Sequence, residues 1–389
     1  MKEASSEQGK ATAAAIEYDL LVIGGGIVGT GIARDASMRG LSVVLFEKED
    51  LSCGTSSKSS RLIHGGLRYL QTYDFGLVFK DLHEREVLLR IAPHLIKPLK
   101  FVIPNYDPGI KSKSRLWIGM VLYDLLSAGK SLPSHKMLSK QGLLALEPEL
   151  NPEGLQGGAA FYDCQAAFAE RIAVENAISA NEHGARIFTH ATISGLLKTE
   201  GKVCGAKVED QFSGRSFAFR SKIVVNAAGP WADEILELAQ EGHRDVLRKT
   251  KGIHIVVPKI ATNALAFYAK SDGRLIFAIP WLDNTLVGTT DTDFNADAKD
   301  AVAENDEVAY LLKEVATLVR SLKGKAIEFS YAGVRPLVRT SPSKSVSTVS
   351  RNYKILDHSS GGQNGLISIL GVKLTSYRVA AQDTVDLIE

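Results

Sequence analysis

A chain of 389 residues exceeds the usual size of one compact core, so its length predicts two intertwined domains with room for a large ligand cleft. Hydrophobic residues at 45% and charged ones at 23% describe a folded globular protein, and 46 Lys plus Arg against 44 Asp plus Glu leave +2, which excludes a general attraction to nucleic acid. Cys53, Cys164 and Cys204 are odd in number and widely spaced, which argues against a disulfide framework or a zinc site and for a reducing compartment.

Residues 1–16 lack the apolar run of a secretory signal and read as a frayed tail. No stretch reaches the roughly 20 apolar residues that cross a bilayer, so the expected location is cytoplasmic, with any membrane contact peripheral. The apolar run 18–23 suits a buried parallel strand, and Gly24-Gly25-Gly26-Ile27-Val28-Gly29 follows it at once. A helical pattern over 27–39 and a second strand over 41–46 end in Glu47, completing a βαβ fingerprint. Gly24 permits the tight turn, Gly26 lets backbone approach a pyrophosphate, and Gly29 lets helix and strand pack closely. Glu47 suits ribose hydroxyls and would repel a 2′-phosphate, so FAD or NAD is expected rather than NADP.

The polar segment 50–70 is too long for a simple turn, and its small residues and hydroxyls suit a flat isoalloxazine ring better than a nicotinamide. Further along, 111–126 joins a basic cluster to an apolar helix-like run containing Trp117 and Tyr123, which suits either a lipid interface or a buried helix. Helical periodicity covers 166–180, 186–219 alternates like a small β-meander, and 223–229 is a buried strand entering a glycine turn. The runs 253–258, 266–270, 275–280 and 285–290 predict a sheet roofing the cofactor, and 306–323 an amphipathic helix.

The segment TSSKSSRLIHGGLRYL at 55–70 resembles the flavin-contacting segment of FAD-dependent glycerol-3-phosphate dehydrogenases. EREVLLRIAPHL (84–95), VVNAAGPWADEI (224–235), KGIHIVVP (251–258), IPWLDNTLVGTTD (279–291), YAGVRPL (331–337) and GVKLTSYR (371–378) resemble that family in the same order, over about residues 17–385. The resemblance implies an α/β fold: a Rossmann-type FAD-binding domain of the amino-acid oxidase/glutathione reductase superfamily, interleaved with a β-rich α+β substrate domain. The expected partition is 17–90, 158–230 and 345–389 for FAD, with 91–157 and 231–344 for substrate. Val372 departs from the family's second glycine there, and the chain stops at Glu389, where bacterial and mitochondrial members usually continue into a helical domain.

The resemblance further implies non-covalent FAD held by Gly24, Gly26, Ile27, Gly29, Glu47 and Lys48, by Thr55, Ser56, Ser57, Ser60, Leu62, His64, Gly65 and Gly66, and by Ala228, Gly229, Lys373, Leu374 and Thr375. Glycerol 3-phosphate is the implied substrate, oxidised to dihydroxyacetone phosphate with electrons passed to a quinone or similar acceptor. Arg68 and Tyr69 are expected at its phosphate and Arg335 at developing alkoxide charge. His254 is expected as general base, with Lys373 or a water as the alternative. A covalent link to Cys53 is not expected, and Asp291 and Asp293 read as turn caps, so no metal is expected. A homodimer is left open. The rival readings are a flavin amine oxidase of the glycine or sarcosine type and a flavin-binding protein without turnover.

Overall fold

The computed structural model describes residues 17–70, 73–322, 326–339 and 352–389; the expected N-terminal tail lies outside them. Two sheets organise the chain. The first has eight strands in the order Lys354–Asp357, Leu366–Leu370, Ser216–Asn226, Glu17–Ile23, Val43–Phe46, Arg186–Phe188, with the hairpin Ala191–Thr199 and Lys202–Asp210 attached through Ser216–Asn226. Its four central pairings are parallel. Strand Glu17–Ile23 therefore has covered faces on both sides, and its sequence is apolar without alternation. Leu20 and Val22 pack with Ile32, Ala33 and Ala36 of helix α1 (Ile27–Met38), whereas Leu21 and Ile23 pack with Ala206 and Val208 of the hairpin. Each such side chain, fully withdrawn from water, contributes about 1.5–3 kcal/mol.

The expected meander over 186–219 differs in one respect. Arg186–Phe188 pairs parallel with Val43–Phe46, and only the next three strands run antiparallel, because Ile187 packs on the α1 side of the parallel core.

The second sheet has ten strands. Its spine runs Thr292–Asp293, Leu247–Pro258, Asn284–Gly288, Leu275–Trp281, Ala264–Tyr268, Ile96–Asn105, Gly157–Ala166, Leu62–Ile63, and Phe329–Val338 pairs along Leu247–Pro258. Gly157–Ala166 belongs to this sheet through its long ladder with Ile96–Asn105, although residues from 158 onward are expected with the nucleotide half. The expected amphipathic helix is Asn305–Leu318, closed by a short 3₁₀ turn, and its Leu311, Val315 and Leu318 enter the core of the second sheet.

Helix α2 (Phe75–Ile91) ties the halves together with charge. From its buried face Asp81 pairs with Lys373, Glu84 with Arg378 through two bonds of 2.8 and 2.7 Å, and Arg85 with Asp163 at 2.6 Å. Removing one member of such a buried pair costs more than the pair itself contributes, which keeps the loop 371–378 in register with the second sheet.

Candidate functional site

Gly24 adopts φ +110°, and a Cβ at Gly29 would lie 1.9 Å from the Gly24 carbonyl oxygen, so the turn and the start of α1 both require glycine. Helix α1 has no acidic residue in its first turn, and the amide of Ile27 donates to Ser56 Oγ at 2.9 Å. A Cβ on Gly26 would come within 3.2 Å of that same oxygen. An oxygen acceptor thus sits at the positive end of the helix, the position suited to a phosphate. Glu47 is pinned at the end of its strand, accepting from Gly25 N at 2.6 Å and from Glu49 N at 2.9 Å. Lys48 extends 3.9 Å over the ring of Trp231. This cradle fits the adenosine diphosphate half of FAD, with amides for the anion and a carboxylate for ribose hydroxyls.

The segment after Glu47 threads between the sheets. Thr55 Oγ1 donates to Val334 O at 2.6 Å, and Ser57 Oγ to Gly54 O at 3.3 Å. The amide of His64 donates to Thr375 Oγ1 at 3.1 Å, joining this segment to the loop 371–378. A Cβ on Gly65 would fall 2.5 Å from Leu82 and 2.6 Å from Tyr123 Oη, which leaves glycine as the only residue that fits. Leu62 directs its side chain into the apolar core of the second sheet, and Ile27 packs with Leu374 and Val372 beside α1. Val372, where a glycine is expected, fills an apolar gap between two cores. The amide of Ala228 donates to Asn226 Oδ1 (3.2 Å), and Gly229 turns at φ +57°.

A cavity of about 190 Å3 opens beside this segment, lined by Ser60, His64, Arg68, Tyr69, Asp163, Arg274, Phe277, Thr289, Asp291 and Arg335 among others. Arg335 is braced by Asp291 Oδ1 (3.1 Å), Thr289 Oγ1 (2.8 Å) and the Thr290 carbonyl (3.1 Å). It lies flat on Gly252, where a Cβ would come within 2.1 Å of Nη2. Asp163 is held by Arg85 and accepts from Tyr123 Oη at 2.7 Å. Among the described residues Arg68 and Arg274 reach the cavity without such tight bracing; Arg274 makes a 3.5 Å contact with Asp272.

The structure brings Arg68, Tyr69, Ser60, His64 and Arg335 to one cavity, but His254 and Lys373 are not on its wall. His254 is buried beneath it, stacked on Tyr331 at 5.0 Å, with Nε2 sharing a 2.8 Å hydrogen bond with Ser60 Oγ. Burial, then the charges of Arg335 and Arg61, hold its pKa down at about 3, so the ring is neutral at ordinary pH. His64 is likewise lowered to about 4, chiefly by burial. Lys373 turns to Asp81, its ammonium 4.2 Å from the ring of Tyr69.

One reading is corrected. Asp291 and Asp293 are ion-pair partners of Arg335 and Arg248, not simple turn caps. Cys53 is exposed. Arg274, Asp163 and Arg85 went unnoticed as site residues; EREVLLRIAPHL contains Arg85, but its partner lies 78 residues away.

Residues 19–375 match the model of the FAD dependent oxidoreductase family, so the chain is an FAD-dependent oxidoreductase. It is 44% identical over 386 residues to a glycerol-3-phosphate dehydrogenase of Synechocystis sp., covering 95% of this chain and 70% of that protein. A counterpart in Mycobacterium leprae is 38% identical over 95% of this chain, which spans 63% of its length. The FAD-complexed glycerol-3-phosphate dehydrogenase of Bacillus halodurans superposes with a TM-score of 0.77 at 32% identity, over 96% of this chain and 64% of that one. The chain belongs to the glycerol-3-phosphate dehydrogenase family, and FAD is its cofactor.

Proposed function

We propose that this chain oxidises sn-glycerol 3-phosphate to dihydroxyacetone phosphate. The observation that carries the reading is the cavity walled by Arg68, Arg274 and Arg335, in which the carboxylates Asp163 and Asp291 are already paired. That balance suits a small dianion better than a zwitterionic amino acid. When bound, FAD supplies the hydride acceptor and the store from which two electrons leave. Arg68 and Arg274 grip the phosphate, and Arg335, pre-oriented by Asp291 and Thr289, stabilises charge on the substrate oxygen. The hydroxyl proton passes to Ser60 Oγ as the Ser60 proton passes to His254 Nε2, so His254 acts from behind the wall. Lys373 and the residues of the 55–66 and 371–375 segments hold the cofactor ring. The FAD-binding half is built on the first sheet and the substrate half on the second, which also takes in Gly157–Ala166 and the short strand Leu62–Ile63.

Anaerobic mixing with glycerol 3-phosphate should bleach the flavin, and Arg335→Ala should keep the flavin but lose most of that response. Bleaching by glycine or sarcosine in preference would move the chain to the amine oxidases, and no bleaching by either would leave a binder without turnover.

The electron acceptor is a membrane quinone. No helix among the described residues is long and apolar enough to cross a membrane. Helix α3 (Ile110–Leu126) supports contact from one side: Trp117, Ile118 and Leu125 are exposed beside Lys111, Lys113 and Arg115, with exposed Phe79 of α2 at its far end under Lys130. Vesicles of anionic lipid should sediment the protein, and the triple substitution of those basic residues should reduce the bound fraction; equal sedimentation rejects the contact.

A further inference from the structure

A second cavity, of about 120 Å3, lies on the far side of the Arg85–Asp163 pair and takes no part in the chemistry above. Its walls include Arg85, Tyr123, Asp124 and Phe161 and the turn Ser127–Lys130 after α3. Arg85 is 1% exposed. Its Nη1 donates to Asp163 Oδ1 at 2.6 Å and to the Tyr162 carbonyl at 3.2 Å, yet its Nε is buried with no acceptor among the described residues. Ser127 Oγ is buried in the same condition. An unpaired buried donor is costly, more so when charged, so two around one cavity ask for acceptors from outside the chain.

The charges point the same way. Lys130 lies on this wall, and its pKa is pulled down by burial and then by the guanidinium of Arg85, two like charges facing one small space. The neighbouring carboxylates are committed. Asp124 accepts from the amide and Nδ1 of His135, Glu86 from the amide and hydroxyl of Ser131, and Asp163 from Arg85 and Tyr123. Nor does the carbonyl end of α3 offer a cation site. Tyr123 and Asp124 are capped by the amide of Ser127, Leu125 by that of Ala128, and Leu126 by the ammonium of Lys130.

We propose that this cavity binds a small inorganic oxyanion of the phosphate or sulfate class, between Arg85 Nε, Ser127 Oγ and the Lys130 ammonium. Such an ion supplies several acceptor oxygens in a volume that fits, and it neutralises the facing cations. The site stands apart from the substrate cavity and does not depend on what is oxidised there.

The test uses the FAD-loaded chain. Crystals soaked in sodium selenate should show an anomalous selenium peak within hydrogen-bonding reach of Arg85 and Ser127; a peak confined to the Arg68 and Arg335 cavity, or none, overturns the site. By calorimetry with inorganic phosphate, an Arg68→Ala/Arg274→Ala background removes competition from the substrate cavity, whose phosphate grip those two residues form. Adding Lys130→Gln should weaken the remaining binding at least tenfold, and Ser127→Ala several-fold. Unchanged affinity in both, or no binding to the Arg68→Ala/Arg274→Ala background while its flavin is retained, overturns the proposal.

Discussion

Ser60 stands between the substrate cavity and His254: its hydroxyl lines the cavity, and its oxygen lies 2.8 Å from His254 Nε2. The imidazole reaches the substrate only through that hydroxyl. Ser60→Ala removes the link while leaving the cations in place, and the absorption of the bound flavin checks that the cofactor is retained. General base catalysis is worth about 10²–10⁴-fold, so flavin reduction at saturating glycerol 3-phosphate should slow by roughly that range. Stopped-flow bleaching reads it directly, and a rate within threefold of wild type would remove the relay.

The same ring makes stability depend on pH. With a folded pKa of about 3 against an unfolded value near 6.5, His254 binds its proton more readily in the unfolded chain. The fold therefore has the full contribution above pH 6.5 and loses it as pH falls from there towards 3. At pH 5 the loss is about 2 kcal/mol from this residue alone. His254→Gln should melt with a shallower decline between pH 7 and pH 5 than wild type. Parallel curves would show that His254 is not held neutral by the fold.

Much of the nucleotide half was legible in the residues themselves. An unbroken apolar strand, a glycine turn and a strand ending in Glu47 leave few alternatives, because the order strand, glycine turn, helix and acidic strand end is itself local, as is the close contact of Gly29 with Gly24. The cavity was less legible because its logic is long-range. Asp163 acts through Arg85, 78 positions away, and through Tyr123, 40 away. Nothing in the local pattern of either marks such a pairing. Arg274 follows Asp272 and Gly273 in a polar turn and reads as a solvated residue until the ladder from Leu275 to Trp281 carries it to the cavity. His254 was identified as a site residue, but its apolar flanks also described its burial, and only the fold reveals the serine in front of it.

Arg274 offers a separation of binding from chemistry. It lines the cavity, and its 3.5 Å contact with Asp272 is too long to restrain it firmly. Arg274→Ala should raise KM for glycerol 3-phosphate by 10-fold or more with kcat changed little, the pattern of binding energy shared by ground and transition states. Arg274→Lys should recover part of the loss. Equal effects on kcat and kcat/KM would instead assign the residue to the transition state.

Lys373 and Asp81 differ in what each leaves behind when the other is removed. Asp81 is 1% exposed, and burial already holds its carboxyl above the ordinary carboxylate range, with the Lys373 ammonium pulling the other way. Lys373→Met takes that pull away and strands the carboxyl, so its folded pKa rises further. A group raised in the folded state gives its stability below the unfolded pKa and loses it as pH climbs. The variant should therefore be destabilised by about 3 kcal/mol near pH 8, where the carboxylate is charged and unpaired, and by much less near pH 5, where the folded chain takes up a proton. Urea melts of both proteins at the two pH values measure the difference, and Asp81→Asn in the Lys373→Met background should abolish its pH dependence. A destabilisation equal at both pH values would mean that the ammonium serves packing against Tyr69 and not the charge of Asp81.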